Sequence, residues 1–250
     1  MKKLVSIFLL LFFIFTCVFY IVFYISFNFF ISDNYINNNY RKKFIKNYYL
    51  KNVFRLHQAG DARFDFTGSR FKHLKVIFYL PQQDSLSIET KKDLTQEIRK
   101  IINGNMDVVY ESRQFNYPPP ESADDKDLRL LTDSHPRGEN ILSDTLLLRV
   151  FVLGQYQEIP SFAGLVLNDT SIYLFKKPIQ NLSGKLNSTD DISTSVLLHE
   201  FAHLLGAQHM DSALCILSAR VDNLTYGLPT NFRTTYCSAD LQEIRRALAE

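Results

Sequence analysis

Residues 193–209 read STSVLLHEFAHLLGAQH, and three histidines in this stretch decide how the rest of the chain is read. Val196, Leu197, Leu198, Phe201, Leu204 and Leu205 predict a mostly buried helix, with Asp190 or Ser193 as its N-cap. His199 and His203 are four residues apart, so on a helix they stand one above the other on a single face, about 5–6 Å apart at Cβ. Two imidazoles so placed reach one zinc ion at roughly 2.0–2.1 Å. Glu200 projects beside that face, where a carboxylate meets a water rather than the ion. Gly206 ends the helix, because glycine enters the left-handed region without a Cβ penalty, and the turn it permits returns His209 as a third ligand. Three protein ligands leave one tetrahedral position open, the mark of a catalytic rather than a structural zinc site.

Working outward, the chain alternates sheet and helix. Lys75–Leu80 (KVIFYL), Asp107–Phe115 and Thr145–Leu153 (TLLLRVFVL) predict strands. Gly164–Leu167 and Ser171–Phe175 predict a hairpin around Asn168-Asp169. Ser87–Asn103 carries apolar residues at helical spacing and closes on Gly104. Ser238–Leu248 predicts a terminal helix, with Asp240 in its first turn and Arg245 and Arg246 later, matching the helix dipole. Residues 116–144 are expected to be a long functional or irregular connection, with at most a turn or two of helix over 137–143.

The N-terminus is different. Leu4–Ile31 contains no charged residue, and at about 1.5 Å per residue it exceeds a bilayer core of roughly 30 Å. A cleaved signal has an apolar run of only about 7–15 residues before a small-residue cleavage site, and no such site interrupts this run. The expected organisation is therefore an N-terminal transmembrane anchor or uncleaved signal at 1–31, a juxtamembrane stalk at 32–72 with a short helix within 44–56, and a catalytic domain at 73–250. His57 and His73 are expected to be solvated surface histidines.

Composition narrows the function. The chain of 250 residues is 46% hydrophobic and 22% charged, which excludes wholesale disorder. Its 28 Lys and Arg against 26 Asp and Glu leave a net charge of +2 with no basic field, so nucleic acid is not an expected partner. The three cysteines, Cys17, Cys215 and Cys237, are too few for a disulfide framework or a four-cysteine zinc site. No glycine-rich phosphate loop is present.

His199-Glu200-Phe201-Ala202-His203-Leu204-Leu205-Gly206-Ala207-Gln208-His209 resembles the extended HExxHxxGxxH zinc signature of the metzincin metallopeptidases. The resemblance implies one catalytic zinc ion on His199, His203 and His209, Glu200 as general base and acid, and peptide or protein substrates. It implies an α/β (α+β) zincin fold, with a twisted mixed sheet, an active-site helix above the cleft (upper part 73–206), and a small irregular lower part (207–250) ending in a helix. It also implies a substrate-facing edge strand near Gly164. The function expected is a membrane-anchored zinc endopeptidase, held in the bilayer through residues 4–31 with its catalytic domain outside the cytoplasm. The alternative is a catalytically impaired zinc-binding or adaptor protein of the same fold.

Three departures bear on the alternative. Metzincins place a methionine in a tight turn beneath the zinc, and Ala213-Leu214-Cys215-Ile216-Leu217-Ser218 puts Leu217 there. Leu217 and Gly206 are thus the site-supporting residues. Ala219 stands where some metzincins carry an oxyanion-steadying tyrosine, leaving Tyr226 and Tyr236 as substitutes. Archaemetzincins hold a second zinc with four cysteines; Met210 and Asp240 occupy two of those positions, so a second zinc is not expected. Cys215 and Cys237 are left either as a disulfide or as two buried thiols.

Overall fold

The structure, a computed structural model, describes residues 2–31, 44–53, 57–68, 70–82, 86–102, 106–135, 143–183, 188–211, 215–218, 221 and 232–249. The chain divides into two compact units, Met1–Leu56 and His57–Glu250.

The first unit holds α1 (Lys2–Ile31) and α2 (Tyr48–Val53). Asn47 starts α2, its side-chain oxygen accepting from the amides of Tyr49 (3.1 Å) and Leu50 (3.2 Å). In α1 the side chains of residues 8–22 are all exposed. Among the described residues no helix is long and apolar enough to cross a membrane.

The second unit is a mixed α/β fold. It contains α3 (Arg63–Thr67), β1 (His73–Leu80), α4 (Ile88–Ile101), β2 (Asp107–Gln114), β3 (Ser122–Ala123), α5 (Asp125–Ser134) and β4 (Thr145–Leu153). Then come β5 (Gln155–Tyr156), β6 (Gly164–Leu165), β7 (Ser171–Phe175), α6 (Lys176–Leu182), α7 (Thr189–Leu204) and α8 (Ser238–Ala249). The main sheet runs β2-β1-β4-β7-β6. Its first four strands are parallel, and β6 pairs antiparallel with β7 as the edge strand. β4 is central because its apolar run suits a strand covered on both faces. Strand alternation divides the core: Ile77, Tyr79, Phe151 and Leu153 join Leu128 of α5 on one face, while Phe78 on the other lies beneath the Lys91 ammonium of α4. α7 packs against α4, β7 and β6, and α8 against α3.

Several expectations change here. α5 lies inside the segment read as irregular. Its signal was the acidic run itself: Asp124 caps the helix and Asp127 completes a reciprocal capping box. The buried guanidinium of Arg149 holds the end of α5 by donating to Thr132 O (2.9 Å) and to His135 O. The N-cap of α7 is Ser188, with Asp191 closing a second capping box, instead of Asp190 or Ser193. His57 is not a solvated histidine: its Nδ1 lies 3.0 Å from Asp169 Oδ2 in the β6–β7 turn. Residues from 57 onward pack with the second unit, where sequence reading had placed them in a stalk. Gly104 and residues 137–142 lie outside the described residues.

Candidate metal centre

α7 is apolar or small on nearly every side and almost wholly buried, which fixes the rotation of the helix and so the direction of its histidines. His199 is fully buried and His203 opens toward a cleft. After the helix, Gly206 adopts φ +90°, and the chain reverses to bring His209 over the same face. The turn needs a second glycine, because a Cβ on Gly60 would lie 3.2 Å from Gly206 Cα.

The three Nε2 atoms converge. They are separated by 2.8 Å (His199–His203), 3.1 Å (His203–His209) and 3.2 Å (His199–His209). Nitrogens bound tetrahedrally to one zinc at 2.0–2.1 Å would lie about 3.3–3.4 Å apart, so the spacing is slightly contracted but of the right form. The outward nitrogens are fixed by carbonyls: His199 Nδ1 donates to Ile216 O (2.6 Å) and His203 Nδ1 to Ala207 O (2.8 Å). A carbonyl only accepts, so each of these two Nδ1 atoms carries a proton, and Nε2 is the nitrogen each ring turns toward the others. With His209 Nε2 beside them, three imidazole nitrogens converge on one point, a donor set that suits zinc.

Glu200 is 2% exposed and shares with His203 and His209 a cleft of about 350 Å³. Phe162, Gly164 and Leu165 form one wall. At Gly164 the edge strand passes so close that an added Cβ would meet Glu200 Oε1 at 2.5 Å. Sequence reading had placed Gly164 on a substrate-facing strand but missed this approach. It also missed Ala59, which lines the same cleft from the segment assigned to the stalk.

In the turn Cys215–Ser218, whose Ile216 carbonyl binds His199, Leu217 is fully buried and its carbonyl accepts from Met210 N (2.9 Å). Cys215 and Cys237 are joined in a disulfide, Cα–Cα 5.7 Å. Beside it Asp240 is fully buried, its carboxylate accepting from the amides of Ile216, Leu217 and Cys237. The sequence points to Asp240 as a helix-dipole residue and as the replacement of a cysteine, but not to these amide contacts. One turn further along α8, Glu243 accepts from Gln208 N (2.9 Å), next to His209. Of the two tyrosines considered as substitutes near the oxyanion, Tyr236 is buried and donates to Leu198 O (2.6 Å), and burial raises its pKa well above the ordinary phenol value. Tyr226 and Ala219 lie outside the described residues.

No family model matches the sequence, and neither does any curated protein. Among solved structures, the crystal structure of archaemetzincin from Methanopyrus kandleri is similar, with a TM-score of 0.54 at 12% identity. The alignment covers 73% of this chain and 98% of that one. The likeness is one of fold: a mixed α/β unit with a mostly parallel sheet.

Proposed function

We propose that this chain is a zinc-dependent endopeptidase. The observation that carries the reading is the meeting of three Nε2 atoms within 3.2 Å of one another, in a cleft that Glu200 also lines. The fold likeness to an archaemetzincin supports it.

His199, His203 and His209 would hold the ion. Zinc so bound supplies Lewis acidity, polarising a scissile carbonyl and acidifying water. The chain supplies the rest. Glu200 takes the proton of the attacking water and passes it to the leaving amine, a role worth roughly 10²–10⁴-fold. The unpaired edge of β6 offers backbone groups to an extended peptide, which would join the sheet beside Glu200. The Ile216 and Ala207 carbonyls hold two of the rings in register, so the site needs little reorganisation on binding.

Membrane anchoring through residues 4–31 is part of the proposal and rests on the uncharged apolar run alone. Placement of the domain outside the cytoplasm draws support from the Cys215–Cys237 disulfide, since such bonds persist in oxidising compartments.

The second reading, a zinc-binding or adaptor protein without turnover, is favoured by one observation: the phenol of Tyr236 is committed to Leu198 O and does not serve an oxyanion. One experiment separates the two. The full chain in detergent is assayed for zinc content and for cleavage of a peptide library, beside Glu200→Gln. The peptidase reading expects chelator-sensitive cleavage that Glu200→Gln abolishes while zinc is retained. Zinc without turnover in the unaltered chain would establish the second reading.

A further inference from the structure

We infer that Asp240 is a positioning residue for the metal centre, acting on His199 through the peptide unit that joins Ile216 to Leu217. The inference rests on the reading of the three histidines as zinc ligands.

A buried carboxylate is stable only where donors replace its water. Asp240 has three. Oδ2 accepts from Ile216 N (3.0 Å) and Cys237 N (2.9 Å), and Oδ1 accepts from Leu217 N (2.9 Å). No lysine or arginine pairs with it among the described residues; the contacts that hold it are with backbone amides.

The Leu217 amide is the informative one. The Ile216 carbonyl and the Leu217 N–H belong to one planar trans peptide unit, so they point in opposite directions and turn together. One end of this plane is bound to Asp240 and the other receives the Nδ1 proton of His199 at 2.6 Å. Fixing the N–H therefore aims the C=O, and the C=O sets the ring plane and tautomer of His199. The next carbonyl, of Leu217, accepts from Met210 N, so the same turn also steadies the residue after His209. Partners of this kind, one step removed from the ion, typically change metal affinity by about 10–100-fold when lost.

The test uses the full chain in detergent, with zinc affinity measured by chelator competition and cobalt(II) absorption as the spectroscopic readout. Asp240→Asn keeps one acceptor oxygen but turns an NH₂ toward amide donors. The expected result is a loss of zinc affinity of about 10–100-fold, with a shifted cobalt spectrum in the folded variant. A purely structural Asp240 would lower the melting temperature yet leave the affinity within twofold and the spectrum unmoved, which would overturn the inference. A second measurement needs no variant. In the unaltered protein, removing zinc is expected to shift the NMR resonances of the Leu217 amide and the Asp240 carboxyl carbon; resonances that stay in place would overturn the inference even if Asp240→Asn fails to fold. A chain that binds no zinc at all would refute the ligand reading beneath it, a result distinct from either.

Discussion

His199 donates through Nδ1 to the carbonyl of Ile216 at 2.6 Å, which ties α7 to a turn seventeen residues later. The next side chain in that turn, Leu217, is fully buried. Leucine and methionine have similar volumes, and such exchanges usually cost less than about 1.5 kcal/mol. Leu217→Met is therefore expected to leave zinc content and thermal unfolding almost unchanged. A larger loss of stability would show that the turn depends on the branched side chain.

Gly164 sets the sheet edge against the proposed general base. A Cβ there would meet Glu200 Oε1 at 2.5 Å, Glu200 Cγ at 2.6 Å and Val196 Cγ1 at 2.7 Å. Two of the three atoms belong to the Glu200 side chain, so Gly164→Ala is expected to displace its carboxylate. Misplacement by about 1 Å commonly costs around 10²-fold in rate. Turnover should fall by that order while zinc content stays at wild-type level; unchanged turnover would mean that Glu200 is not positioned by this contact.

The legibility of the chain was uneven. The zinc segment was readable because each of its residues has a separate mechanical task at fixed spacing, and Val196, Leu197, Phe201 and Leu204 fix the face on which the histidines stand. β4 and β7 were readable from their mostly apolar, β-branched and aromatic runs. α5 was not, because a short amphipathic helix with aspartates in its first turn resembles a solvated acidic loop until the capping box is seen. The site contacts of Asp240, Ala59 and Gly164 were invisible for another reason. Each depends on a contact across many residues, and no local pattern records which amide or side chain will arrive there.

Gly206 holds φ +90° between His203 and His209. An alanine in that region costs about 1–2 kcal/mol, and its Cβ would also lie 2.6 Å from Arg63 Nη1, a flexible group able to move aside. Gly206→Ala is thus expected to lose about 1–2 kcal/mol in denaturant unfolding and to bind zinc more weakly. Unaltered stability would indicate that the backbone relaxes out of the left-handed region.

Glu243 links the terminal helix to the His209 loop. Its pKa is lowered from the ordinary value of 4.5, first by the Arg246 side chain, against the opposing effect of partial burial, and further by the Gln208 amide. As pH falls, the unfolded chain therefore takes up this proton before the folded one does. The stabilisation is present above about pH 4.5 and is lost below it, as the folded carboxyl protonates. Glu243→Gln should be less stable than the wild type at pH 7, with the gap closing as pH drops below about 4.5. A gap that stays constant down to acid pH would remove the linkage.

The central claim is that three imidazoles share one zinc ion, and X-ray absorption at the zinc edge of the full-length protein tests it most directly. The account expects a first shell of nitrogen and oxygen only, at about 2.0–2.1 Å, with multiple-scattering features of three imidazoles. Sulfur at about 2.3 Å, or a shell without imidazole scattering, would place the zinc elsewhere and contradict it.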